Sequence, residues 1–100
     1  MNEALLVLIA SPSLEEVLAD WLLDREDGTG FSTVPVSGHG SGLVNLSAAE
    51  QVAGRRRRVQ FQIHGSREHL EQTLAGLKQD FEGADLHYWL IPLLDAGHLG

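Results

Sequence analysis

Val59-Gln-Phe-Gln-Ile63 alternates apolar and polar side chains, and His64 continues the polar set. A period of two marks a strand with one face in a core and the other polar. The nearest strand-like run before it is Phe31-Ser-Thr-Val-Pro-Val36, where Pro35 cannot donate to a ladder and so points to an edge or bulge. Two helical patterns flank this pair. Leu70, Leu74, Leu77 and Phe81 form an apolar stripe opened by Ser66 as a cap and stopped by Gly83. On the other side, Leu14, Val17, Leu18, Trp21 and Leu22 recur at helical spacing opposite Glu15, Glu16 and Asp20. Pro12 suits a first helical position, Ser13 and Glu16 have capping-box spacing, and Gly28-Thr29-Gly30 ends the pattern. Outermost lie Ala4–Ala10, apolar on both faces, and Leu86–Leu94, where Pro92 again favours an edge.

The order is therefore strand, helix, strand, strand, helix, strand. Two such halves predict an α+β, ferredoxin-like βαββαβ sandwich: a four-stranded antiparallel sheet in order 4-1-3-2 with both helices on one face. The two proline-bearing strands then fall at the two edges. The other sheet face carries Gln60, Gln62 and His64 among apolar side chains of the outer strands, and something must cover it. A first strand apolar on both sides, in a chain with one helical layer, predicts a partner subunit.

One hundred residues make one domain, 1–100, and 43% apolar residues suit a globular protein. Fourteen acidic against seven basic side chains give a net charge of −7, which opposes bulk attraction to nucleic acid or anionic membranes. Five of the seven cations nevertheless lie between Arg55 and Arg67. The absence of cysteine excludes disulfides, thiolate metal sites and thiol catalysis. Ala4–Ala10 is too short to span a bilayer and follows no cationic start, so a cytoplasmic protein without membrane insertion is expected.

The connection from Ser37 to Arg58, Ser-Gly-His-Gly-Ser-Gly-Leu-Val-Asn-Leu-Ser-Ala-Ala-Glu-Gln-Val-Ala-Gly-Arg-Arg-Arg-Arg, is the working part. A hairpin needs only about two to five residues, and long loops in compact domains are seldom idle. Gly38, Gly40 and Gly42 give it backbone freedom, and Ser47 with Glu50 can cap a short helix over 48–53. Leu43, Val44 and Leu46 would suit docking to a protein partner. If the third strand begins near Arg55, alternation puts Arg56 and Arg58 on the Gln60/Gln62 face and Arg55 and Arg57 on the Val59 face. Two readings of these arginines stand: a phosphate or carboxylate clamp, or a strand base ion-paired with Glu50, Asp24 or a neighbouring subunit. Nucleic acid is disfavoured by the net charge, and no aromatic residue alternates with the arginines. The five histidines lack the spacing of a metal-binding helix. No nucleophile–base pattern or carboxylate pair supports an enzyme.

Phe31-Ser-Thr-Val-Pro-Val-Ser-Gly-His-Gly40, Leu46-Ser-Ala-Ala-Glu-Gln-Val-Ala-Gly54, Arg58-Val-Gln-Phe-Gln62, Leu86-His-Tyr-Trp89 and Gly97-His98-Leu99 resemble a bacterial PII-like family of unknown function, often encoded beside heavy-metal efflux systems. It lies within the PII signalling and divalent-cation tolerance superfamily. The resemblance implies a homotrimer whose bare sheet faces meet at the centre, with residues 38–54 as the T-loop. It also implies that the loop base of one subunit meets the last strand and tail of a neighbour. That brings Gly38, His39, Gly40, Arg56 and Arg58, as ligand-binding residues, toward His87 or His98 of the adjacent chain. Two departures stand out. Phe81-Glu-Gly-Ala-Asp-Leu86 has one glycine and no basic residue where PII proteins hold ATP phosphates, and 38–54 lacks the tyrosine that PII loops modify. The resulting expectation is a non-enzymatic regulatory sensor that binds a small anion, a nucleotide among the candidates, and signals through 38–54 to a protein partner. The alternative is a divalent-metal protein of metal homeostasis using His39, His87 and His98.

Overall fold

Four strands and two helices form the α+β sandwich that the sequence predicts. The structure is a computed structural model that describes residues 2–25, 30–39 and 55–100. The elements are β1 (Glu3–Ala10), a 3₁₀ turn (Pro12–Leu14), α1 (Glu15–Leu23), β2 (Ser32–Gly38), β3 (Arg56–Ser66), α2 (Arg67–Asp80) and β4 (His87–Pro92). The antiparallel sheet has the order β2-β3-β1-β4, the expected 4-1-3-2 read from the other edge. Pro35 and Pro92 lie in its two edge strands.

The register explains the burial. Leu8 pairs with Phe61 and Leu6 with Ile63, and these four side chains point to the helices. Leu18 and Leu22 of α1 and Leu70 and Leu77 of α2 close over them, with Phe61, Leu6, Leu8, Leu18 and Leu70 almost wholly buried. Both helices thus lie on one face, because a stripe at 3.6-residue spacing has only one apolar surface to offer. Trp21 fastens α1 to the end of α2: its ring meets Phe81 edge-on at 5.8 Å, its Nε1 donates to Asp80 at 2.8 Å, and Arg25 stacks on its face at 3.8 Å.

Three local expectations need correction. Ser13 does not cap α1. The chain enters through the 3₁₀ turn, no side chain caps it, and the Ser13 hydroxyl instead shares a 3.0 Å hydrogen bond with that of Ser11. Val17 is exposed, because that entry turns the buried stripe onto Leu18 and Leu22. The long connection is also shorter than it reads: β2 runs on past Val36 to Gly38, while β3 starts at Arg56, close to the start near Arg55 considered from sequence. The proposed short helix over 48–53, with its Ser47 cap, lies outside the described residues, as does most of the T-loop segment.

On the opposite sheet face, Leu5, Val7 and Ile9 of β1 lie beside Trp89 and Ile91 of β4 and, across Gln60, Gln62 and His64, Val34 and Val36 of β2. Val7 is buried, whereas Val34, Trp89 and Ile91 are exposed. Gln62 Nε2 donates to Gln60 Oε1 at 2.8 Å in the middle of this face.

The Ser66 hydroxyl accepts from His69 N–H at 3.1 Å, capping α2 as expected. Ser66→Ala should therefore cost about 1 kcal/mol in urea unfolding, and Ser13→Ala less than ~0.5 kcal/mol. Equal losses at both positions would show that Ser13 caps α1 after all.

Candidate functional site

Alternation along β3 places Arg56 and Arg58 on the open sheet face and Arg57 on the helix side, as the sequence predicts. Arg57 and Arg55 border a cleft of about 540 Å³ on that helix side, with Glu15, Ser37 and Thr33 around it. The run of four arginines thus serves two surfaces.

Arg58 has the unusual environment. It is 5% exposed. Its position follows from topology: β1 ends at Ala10, opposite Val59, so Arg58 is the first β3 residue without a β1 neighbour. Strands β3 and β4 are separated by two strand spacings, roughly 10 Å, and there a long cationic side chain can cross. Arg58 Nη2 donates to the Asp85 carbonyl at 3.0 Å and to the Ile9 carbonyl at 3.3 Å, while Nη1 meets Asp85 Oδ2 at 3.4 Å. Its Nε is buried and has no hydrogen-bond partner among the described residues. Such an atom is rare in a folded protein and marks a place where polar demand exceeds supply.

Arg56 and His87 complete the cluster. Arg56 Nη1 lies 3.5 Å from the same Asp85 Oδ2, and His87 Nε2 lies 3.7 Å from Oδ1. Gly38, the last residue of β2, pairs with Arg56. A Cβ there would sit 3.4 Å from Arg58 Cγ, at van der Waals contact, so β2 lies against the arginine stem. Asp85 has φ 58°, a left-handed conformation that aspartate tolerates better than most residues. Arg56 and Arg58 are thus ion-paired with Asp85, an acid other than the expected Asp24, and Glu50 lies outside the described residues.

The structure therefore unites four of the residues in question, Gly38, Arg56, Arg58 and His87. His39 is exposed just beyond β2, and His98 is exposed in the tail after β4; neither joins the cluster's contacts. Gly40 lies outside the described residues. Among the described residues, no three His, Cys, Asp or Glu side chains converge as a metal site within one chain. Asp85 was not singled out from sequence. Its signal was a lone acid just before the fourth strand, which the 4-1-3-2 order sets at the same sheet end as the arginines.

A family model described as "Protein of unknown function (DUF3240)" matches residues 1–100. The chain belongs to the DUF3240 family. The DUF3240 chain is similar to a solved DUF3240 family protein from Shewanella baltica OS155, with 25% identity, TM-score 0.80 and coverage of 100% of this chain and 99% of that one. It shares its fold with a functionally unknown protein from Pediococcus pentosaceus ATCC 25745, at 13% identity and TM-score 0.68, covering 99% of each. No curated protein matches the chain. None of the helices among the described residues is long and apolar enough to cross a membrane.

Burial separates the two arginines of the cluster. Arg58→Ala leaves the Ile9 and Asp85 carbonyls without their charged donor and should cost about 1–3 kcal/mol in urea unfolding. Arg56→Ala, at a partly exposed pair, should cost less than ~1 kcal/mol. The reverse ranking would place the structural role at Arg56.

Proposed function

We propose that this DUF3240 protein is a non-enzymatic, PII-like regulatory protein that binds a small anionic ligand at the Arg56–Arg58 cluster. The observation that carries the reading is the charge imbalance there. Two guanidiniums converge on one half-exposed carboxylate, in a protein whose net charge is −7. Guanidinium forks match carboxylate and phosphate oxygens. The cluster sits where the long connection leaves β2 and enters β3, so an occupant would lie beside Gly38 at the start of the 38–54 segment. That segment is the proposed route to a protein partner.

The protein acts, in this reading, as a homotrimer assembled through the open sheet face. Support comes from the exposed Val34, Trp89 and Ile91 around the apolar β1 side chains, on the face opposite α1 and α2. Assembly there would place the cluster near a subunit boundary, as in the PII plan. The alternative, divalent-metal binding in metal homeostasis, draws on His87 beside Asp85 and would need further donors such as His39 or His98 from another chain.

Two measurements test these proposals. In a thermal-shift screen, phosphate-bearing anions, nucleotides included, should raise the melting temperature, with about 2.7 kcal/mol of stabilisation at ~100 times Kd. Zn²⁺, Cu²⁺, Ni²⁺ and Co²⁺ should not. Stabilisation by the metals alone would favour the alternative. Light scattering at micromolar concentration should return three chains, and Trp89→Glu should lower that mass; a monomeric wild type would end the trimer reading.

A further inference from the structure

Resting on the anion reading above, we propose that Asp85 is a resident stand-in for the ligand: its carboxylate occupies the two-guanidinium clamp and is displaced by a phosphate-like dianion.

The contacts are built for exchange. Arg56 and Arg58 share the single oxygen Oδ2, at 3.5 and 3.4 Å, and neither makes a two-oxygen fork with the carboxylate. Charge-assisted N–H···O bonds normally close to about 2.7–2.9 Å, so both pairs are loose. Arg58 does not depend on that carboxylate for its position. Its other terminal nitrogen is anchored on two main-chain carbonyls, of Ile9 and Asp85, and the side chain is 4% exposed. The Asp85 side chain is 54% exposed and can turn to water without a burial penalty. The fixed member of the pair is the cation, and the replaceable member is the anion.

Charge sets the class of ligand. One carboxylate faces two permanent cations, with the His87 ring 3.7 Å from its other oxygen. A monoanion would only exchange one negative charge for another, at the cost of losing Asp85's tether. A dianion supplies a second charge and a third oxygen, which lets each guanidinium take its own acceptor. Phosphate and phosphoryl esters have this form. Ligand entry and release of the Asp85 carboxylate are then one event, located immediately before β4.

The test uses the full chain and titrates it calorimetrically with inorganic phosphate, pyrophosphate and acetate at constant ionic strength. Asp85→Asn removes the charge, and Asp85→Gly removes the side chain while accepting the left-handed φ. In both variants phosphate and pyrophosphate should bind about tenfold more tightly than to wild type, the equivalent of one weak charge-assisted contact no longer displaced. Acetate should trail phosphate in all three proteins. If wild type binds phosphate and neither variant gains affinity, Asp85 is a structural partner and the stand-in proposal falls, while the anion site remains. If no form binds phosphate or pyrophosphate, the anion reading itself fails and takes this proposal with it.

Discussion

The end of the sheet is closed by one guanidinium. Strand β1 stops at Ala10, and the gap this leaves between β3 and β4 is spanned by Arg58, bonded to the Ile9 and Asp85 carbonyls. Arginine suits this place for physical reasons. It remains charged, reaches across a missing strand, and distributes its donors over several acceptors. The same reach brings the left-handed turn at Asp85, the start of β4 and the end of β2 into one cluster. The Arg58 bond set therefore links the folding of the chain to the cluster of charges at this end of the open face.

The fold was legible because its signals are local. Alternation at Val59–Ile63, the stripe from Leu70 to Phe81 and prolines at Pro35 and Pro92 each follow from side-chain geometry within one element. Errors arose where neighbours outweighed local chemistry. Ser13 has the spacing of a cap, yet Pro12 begins a 3₁₀ turn that sends the chain into α1 by another path. Gly38 reads as loop, yet it gains a cross-strand partner in Arg56 that composition does not reveal.

The candidate site was half legible for the same reason. Arg56, Arg58 and Gly38 announce themselves by type and position in the chain. Asp85 does not, since it lies 27 residues from Arg58 and meets it only through the strand order. A single acid in a turn is ordinary until topology puts two arginines beside it. The histidines show the converse. His39, His87 and His98 share a residue type, but only His87 approaches the cluster.

The hydrogen bond between Gln60 and Gln62 has a consequence for molecular discrimination. The two amides satisfy one donor and one acceptor between them, and so lower the desolvation cost of covering the centre of the open face. Their remaining hydrogen-bonding groups would still be stranded beneath a purely greasy surface. A covering surface that offered amides or hydroxyls at the right spacing would satisfy those groups, whereas a purely apolar one would leave them unpaired.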